Sequence, residues 1–275
     1  MTSFNSLGAG AALIAACVGP AIAHAQGGQE AQSRAAVTAG ASARSGAQRT
    51  PLLTPAVAAR LAPMKWMYVT SLRGDGGTPQ RIGFRTISLT EATYRGTPAW
   101  LVVEVRQMHT VAYAESLYVS KADLTPMHRV RRTPTSTVVS EYGADSIRTT
   151  FDDDSGHVTG AMADEPGLLA GLYLIEPLIG ASQLDAQWAT TSRLAAIGRD
   201  ESGVVDVETR VVGAEKVQIP DGTFDAWVVT MRIGSSGETF WVRKTDGVVL
   251  KEVVPALGMA GATVEAVLGL NGVER

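Results

Sequence analysis

The sequence is poor in the residues from which many metal and redox centres are built. Of its 275 residues one is a cysteine, Cys17, and four are histidines. A single cysteine excludes a disulfide within the chain and a zinc site of the paired-cysteine type. A packed core must therefore hold the fold together, and a hydrophobic content of 45% is ample for one.

An excess of positive charge is also lacking. The formal net charge is −3, which argues against a nucleic-acid partner because phosphate binding normally requires a basic face. The local exception is Arg129, Arg131 and Arg132, next to His128. On a strand, Arg129 and Arg131 share one face, which we interpret as a solvated strand edge protected against aggregation. Contact with an anionic ligand or a lipid headgroup is the alternative.

Motifs that carry chemistry are absent as well. The histidines outside the N-terminal segment, His109, His128 and His157, have no ligand-type neighbour at helix or strand spacing. The acidic run 152–154 lacks the spacing of a calcium loop and predicts a hairpin turn. We therefore predict a non-enzymatic protein with no metal and no cofactor. A hydrolase would require His128 or His157 to meet a Ser or Asp in a cleft.

The N-terminal segment predicts export. Residues 7–25 carry no charge and end in Ala23-His24-Ala25, a signal-peptidase cleavage pattern, so we assign residues 1–25 to a signal peptide. The mature protein is then periplasmic or secreted. The run Ile14-Ala15-Ala16-Cys17 resembles a lipoprotein signal, and lipidation of Cys17 with attachment to a membrane is the alternative.

The remaining chain divides into a linker and one domain. Residues 26–52 are rich in Gln, Ala, Gly, Ser and Thr, which predicts a disordered linker. Residues 53–275 are predicted to form a single β-rich domain. A short helix is expected from Thr54 through Ala62, and a buried helix interrupted at Pro177 over 165–181. Strands are predicted at short, regular spacing over 65–72, 81–89, 99–105, 111–119, 127–132, 137–142, 146–151, 157–162 and 184–198.

The stretch 211–252 has the clearest pattern. Strand-like alternation is separated by turns at Pro220-Asp221-Gly222, Gly234-Ser235-Ser236-Gly237 and Asp246-Gly247. Such turns join neighbouring antiparallel strands directly, without helical crossovers. The pattern therefore predicts an antiparallel meander.

Several of these segments resemble an exported bacterial family with a domain of unknown function, related in architecture to the lipoprotein carriers of the outer-membrane sorting pathway. The similar segments are Ala114–Val119 with Leu124-Thr125-Pro126, Val211–Val217, Pro220–Trp227, Phe240-Trp241-Val242 and Thr245–Leu250. The resemblance implies a mainly β fold, a strongly curved antiparallel sheet or half-open β-barrel whose concave face is covered by helix. In the carriers that concavity holds acyl chains. The resemblance to proteins of the outer-membrane sorting pathway also implies association with the outer membrane.

Apolar side chains are the best ligand-binding candidates. Tryptophans on the predicted strands suit the wall of a hydrophobic cavity, and the predicted helix suits its lid, although ordinary core packing explains both as well. We predict a cell-envelope protein that binds or carries a lipid-like or other hydrophobic ligand. The alternative is a structural or interaction protein with a filled core and an exposed edge strand. The candidate cavity residues are Trp66, Trp100, Trp188, Trp227, Trp241, Leu172 and Tyr173.

Overall fold

We describe the fold from a computed structural model, for residues 52–74, 76–109, 112–200, 202–256 and 259–274. The predicted signal peptide, Cys17 and all of the predicted linker except Leu52 lie outside these residues, and those assignments stay predictions. Leu52 itself is buried in the core, with 2% of its surface exposed. No helix in the described part of the chain has the length and hydropathy to cross a membrane.

Strands dominate the structure and join into one sheet of 15 strands. Their alternating burial explains why these segments form strands, since one face of each lies against the interior. The strands are β1 Met64–Arg73, β2 Gln80–Tyr94, β3 Thr97–Met108, β4 Ala112–Ser120, β5 Pro126–Arg132, β6 Ser136–Tyr142, β7 Ser146–Asp153, β8 Gly156–Ala163, β9 Leu168–Leu169, β10 Ala189–Ile197, β11 Ser202–Ile219, β12 Gly222–Ile233, β13 Ser236–Arg243, β14 Val249–Pro255 and β15 Thr263–Glu274.

The sheet consists of two antiparallel meanders. Strands β1 to β8 lie side by side in chain order, and β10 to β15 form a second series, which joins the first where β15 pairs with β1. The edge strands are β8 and β9, and β9 pairs with β10 in parallel. Only residues 164–167 connect these two edges. Because so short a connection brings the edges near each other, the sheet must curve round into a half-open barrel.

The predicted strands and turns are confirmed. Each predicted strand up to residue 198 overlaps one of β1 to β8 or β10, and the turn glycines Gly222, Gly234 and Gly247 have positive φ of 134°, 57° and 74°. Such φ values favour glycine, which explains the turn sequences. Strand β15, for which no prediction was made, is the element that joins the two meanders.

The helices are shorter than predicted. Helix α1 spans Pro55–Ala58, and the predicted helix over 165–181 is instead strand β9, a 3₁₀ turn Leu172–Leu174 and helix α2 Ile175–Ala181. Pro177 does not interrupt α2 because it lies in the first turn, where no intrahelical hydrogen bond needs its missing N–H.

Helix α2 fills the concave side of the sheet. Its residues Ile175, Leu178 and Ile179 are fully buried in the main core cluster. At its C-terminal end the Arg60 Nε donates to the Ala181 carbonyl at 2.7 Å. Gly180 and Gly247 also pack backbone to backbone, since a Cβ added to Gly247 would lie 2.1 Å from the Gly180 carbonyl oxygen. The helix is therefore fixed to the turn between β13 and β14.

Candidate ligand-binding site

The interior of the half-barrel has an apolar half and a charged half. Residues that face each other across neighbouring strands share a face of the sheet. One such row runs from Trp66 through Ile87 to Glu104, and then to Glu115 and Arg131. The row begins in the apolar core and ends in charged residues, so the inner wall changes from apolar to charged between β2 and β5.

The predicted cavity residues do not form one open wall. The structure brings Trp66, Trp100, Trp188 and Tyr173 together in the buried core cluster, and Leu172 packs against it half-buried. The indole nitrogens of Trp66 and Trp100 and the Tyr173 hydroxyl have no hydrogen-bond partner in the described structure. Contact of these residues with a ligand stays a prediction.

The other two candidates, Trp227 and Trp241, lie on opposite faces of the sheet. Trp227 is opposite Val242, whereas Trp241 is opposite Lys251 and alternates with the buried Val242. The Lys251 Nζ lies 4.9 Å from the Trp241 ring centroid, on the outer face. The two tryptophans therefore belong to different surfaces.

A buried ion-pair network centres on Arg85 of β2, a residue that the sequence analysis did not single out. Arg85 is 4% exposed and forms ion pairs with Glu104, Glu176 and Glu252, with its Nε 2.5 Å from the Glu104 Oε1. The Tyr68 hydroxyl donates to the Glu176 Oε2 at 3.1 Å. Since Glu176 belongs to α2, the network ties the helix to the sheet.

This network holds more acids than bases. Burial raises the pKa of Glu176 to about 7, although the Arg85 charge opposes the shift. Burial and the neighbouring Glu252 raise the pKa of Glu238 to about 8. Burial would also raise the pKa of Glu104, but Arg106 and Arg85 outweigh it and lower that pKa. Protonation of Glu238, and below about pH 7 also of Glu176, therefore relieves the excess negative charge.

The wall formed by β4 and β5 has more basic than acidic side chains. Arg129 forms an ion pair with Glu115, which is 1% exposed. Arg131 lies opposite Glu115 but has no carboxylate within ion-pair distance in the described chain, and its buried Nε lacks a hydrogen-bond partner. Burial and the charge of Arg129 lower the pKa of Arg131. The charge of Glu115 opposes this shift, although Glu115 makes its ion pair with Arg129. This wall thus carries two guanidinium groups for one carboxylate.

The interpretation of Arg129 and Arg131 as a solvated strand edge is wrong. Strand β5 is internal, with β4 on one side and β6 on the other. Val138 of β6, which lies opposite Arg131, is buried, so this face points into the interior. Arg132 is the residue that is exposed to solvent. Alternation correctly grouped Arg129 with Arg131 but did not show which face was inside.

The two edges of the sheet meet along a seam, by which we mean the contact between β7–β8 and β9–β11. Side chains carry much of this contact. A small apolar cluster joins Ile147, Leu168 and Ala195, with Met162 and Ile197 packed against it. At one end the Arg199 Nη1 lies 2.7 Å from the Asp153 Oδ2. The described strand pairings do not join β8 to β9 or β10, so the sheet stays unclosed there.

A small pocket opens at this seam. It holds about 170 Å³ of empty space including its open mouth. Its lining combines apolar side chains with two hydroxyl-bearing residues and two small residues of β8. The lining residues are Ile147, Thr149, Phe151, Gly160, Ala161, Met162, Ile197 and Ser202.

The histidines do not assemble into a centre. The His128 Nδ1 lies 3.0 Å from the Glu141 Oε1, and the ring stacks on Tyr94 at 5.3 Å. His157 is exposed on β8, and the His109 Nε2 lies 3.2 Å from the Arg81 carbonyl oxygen. Within the described ranges there is no group of three or more His, Cys, Asp or Glu side chains placed to hold a metal ion.

Comparison with solved structures defines the fold class. A β-barrel-like protein of a domain of unknown function, DUF1849, from Brucella abortus superposes with a TM-score of 0.50 at 12% sequence identity, covering 78% of this chain and 98% of that one. The predicted resemblance to a domain of unknown function with a half-barrel is confirmed for the fold. The mainly β, curved and unclosed sheet with few helices is confirmed with it.

Other likenesses are more distant. A hypothetical lipoprotein from Escherichia coli has a TM-score of 0.25 and 13% identity, over 77% of this chain and 85% of that one. An outer membrane lipoprotein-sorting domain from Vibrio parahaemolyticus has a TM-score of 0.22 and 9% identity, over 79% and 88%. No protein-family model and no curated protein matches the chain.

Proposed function

We propose that the protein is a non-catalytic ligand-binding protein of the cell envelope whose half-barrel takes up a lipid-like molecule through the seam. The observation that supports this function is the unclosed sheet, whose facing edges enclose an apolar cluster and a pocket. Small-molecule sites are likewise apolar with a few polar groups, but they usually have about 300–1,000 Å³. Uptake therefore requires the edges to separate and widen the pocket. The predicted signal peptide supports the envelope location, with attachment through Cys17 as the alternative.

Entry at the seam follows from how the edges are held. Separating β8 from β9 and β10 breaks side-chain contacts and the ion pair of Arg199 with Asp153, but none of the described strand pairings. Solvent screens an ion pair at the surface, so this one contributes little to holding the edges together. By contrast, α2 is tied down by the Arg85 network and by its contact with Gly247. The seam is therefore the easier place to open.

Filling the pocket tests this function. Gly160 lines the pocket, and a Cβ added there would meet nothing within 4 Å, so Gly160→Leu places a side chain in the pocket without a backbone clash. Titration calorimetry of the full chain with dodecyl maltoside, a neutral amphiphile, should show binding that Gly160→Leu weakens at least about tenfold, or 1.4 kcal/mol.

Gly213→Leu is the matched control. Gly213 lies on β11, also has open space around its Cβ, and does not line the pocket, so binding should be unchanged. Equal weakening by both variants, or no binding of the amphiphile by the unmodified chain, would refute uptake through the seam. Native mass spectrometry of the chain purified from an envelope fraction should in addition show co-purified lipid.

One observation favours a second function, that of an interaction protein. Strand β8 is an edge strand, Gly156–Ala163, in which almost all residues are exposed and none is charged. Unprotected edges of this kind accept a strand from another chain. Thr159→Lys would add a guard charge to this edge. Under this function, light scattering should show an assembly of the unmodified chain that the Lys variant dissociates, whereas a monomer in both cases would refute it.

A further inference from the structure

The charge balance of the inner wall suggests what the ligand carries. Arg85 and Arg106 pair with glutamates, and Arg129 pairs with Glu115. Arg131 is different, because it is half-buried with no ion pair in the described chain. Burial and repulsion from nearby Arg129 disfavour the charge of Arg131, and attraction by Glu115, which already pairs with Arg129, offsets only part of this cost. The fold therefore maintains a positive charge on its inner wall at a cost in stability.

A second observation places this charge toward the pocket. The row that contains Arg131 continues through Val138 to Phe151, and Phe151 lines the seam pocket. Two strand spacings separate Arg131 from Phe151, about 10 Å between their Cα atoms. This distance is within reach of a ligand whose apolar part occupies the pocket. The Tyr113 hydroxyl on the same face is also buried without a hydrogen-bond partner and can donate to an anion, whereas the Glu115 carboxylate is neutralised by its ion pair with Arg129.

We propose that Arg131 binds the anionic group of the ligand, and that the ligand is an amphiphile with a phosphate or carboxylate group. The apolar part of the ligand lies among Ile147, Phe151 and Met162, and its anionic group faces the unpartnered guanidinium. A guanidinium binds such oxyanions through two parallel hydrogen bonds, and the low polarity of the wall strengthens the contact. This inference rests on the proposed uptake of a lipid-like ligand and adds the class of its headgroup.

The chain offers a matched pair of variants for the test. Arg131→Gln removes the inward charge, and Arg132→Gln removes the same charge from the next residue, which is exposed on the outer face. The measurement is calorimetric titration of the full chain with dodecyl phosphate, with dodecyl maltoside and with inorganic phosphate. The first two probes share the apolar chain, and the first and third share the anion.

The unmodified chain should bind dodecyl phosphate at least about tenfold more tightly than dodecyl maltoside. Arg131→Gln should lower the affinity for dodecyl phosphate by about 10- to 100-fold, equivalent to about 1.4 to 2.7 kcal/mol, and leave that for dodecyl maltoside unchanged. Arg132→Gln should change neither affinity. Arg131→Gln should not lower the thermal midpoint, because burial and Arg129 disfavour the charge that it removes more than Glu115 favours it.

The outcomes separate this inference from the proposed function. If the unmodified chain binds both amphiphiles equally and Arg131→Gln changes nothing, the headgroup site is wrong while uptake at the seam survives. If Arg131→Gln lowers the affinity for both amphiphiles equally and also lowers the thermal midpoint, Arg131 has a structural role and the inference is overturned. Inorganic phosphate that binds as tightly as dodecyl phosphate would confirm the anion site and refute a lipid-like ligand. Binding of neither amphiphile would overturn both proposals.

Discussion

Replacing Arg85 should show how strongly the interior depends on one side chain. Arg85 is the common partner of Glu104, Glu176 and Glu252, and its side chain is 5% exposed. Arg85→Met keeps most of the side-chain length but leaves three carboxylates without their shared counter-charge. Removing one partner of a buried ion pair typically costs about 3 to 5 kcal/mol. With three carboxylates affected, we expect a loss near the upper end at pH 7.5.

The dependence of this loss on pH makes the test specific. At pH 5 Glu176 is largely protonated even with Arg85 present, because its pKa is about 7. Two charges instead of three are then left unpaired, so the loss in unfolding free energy should be roughly two thirds of that at pH 7.5. Urea unfolding followed by tryptophan fluorescence at the two pH values measures both quantities.

Arg106→Met is the control for Arg85→Met. Arg106 pairs with Glu104 alone, and Glu104 keeps Arg85 as its second partner, so Arg106→Met leaves no carboxylate without a counter-charge. We expect a loss of about 1 to 2 kcal/mol, smaller than that for Arg85→Met. A loss for Arg85→Met that is no larger than this, or that is the same at pH 5 and pH 7.5, would show that the network does not stabilise the fold through charge.

Two further changes probe α2. In the folded state the pKa of Glu176 is raised from 4.5 to about 7. Between these pH values the folded state keeps a proton that the unfolded state loses. The free energy of unfolding should therefore fall by up to about 3 kcal/mol as the pH rises from 4.5 to 7. Glu176→Gln should flatten this part of the unfolding curve, and an unchanged slope would contradict the assignment. Gly247→Ala combines a positive φ of 74° with a Cβ 2.1 Å from the Gly180 oxygen. It should therefore lower the free energy of unfolding, measured by thermal unfolding, by more than about 2 kcal/mol. Gly96→Ala, with φ 85° but open space, should cost only about 1 kcal/mol, and equal costs would show that the close approach of Gly180 and Gly247 is unimportant.

The order of the strands could be predicted because the information is local. The turn glycines Gly222 and Gly247 adopt positive φ, and the strands on either side of each turn alternate in burial. Each hairpin joins residues that are close in the chain, so the turn residues largely determine the pairing. Strand β15 was missed because its partners β1 and β14 establish its place, and β1 lies almost 200 residues away in sequence.

The charged interior could not be predicted for a physical reason. In β3 the sequence Val102–Arg106 alternates Val102, Glu104 and Arg106 on one face with two valines on the other. Taken alone, this segment favours the valines as the buried face. The structure buries Glu104 because Arg85 of β2 pairs with it, and Arg85 is in turn held by Glu176 of α2. Alternation shows which residues share a face, whereas the partners that make a charged face stable inside are distant in sequence.

Two locally unfavourable features lie on the same part of the half-barrel. Strand β8 leaves an edge without guard charges, and on β5 the half-buried Arg131 forms no ion pair in the described chain. Each could be relieved by a single substitution, a lysine on β8 or a neutral side chain at position 131. Uncompensated features of this kind are expected at functional sites, where the partner that compensates them is a ligand or another chain. Residues of β8 line the seam pocket, and Arg131 is two strands from Phe151, which also lines it, so the seam is the part of the molecule where a bound partner would gain most. The core under α2 is instead held closed by the Arg85 network.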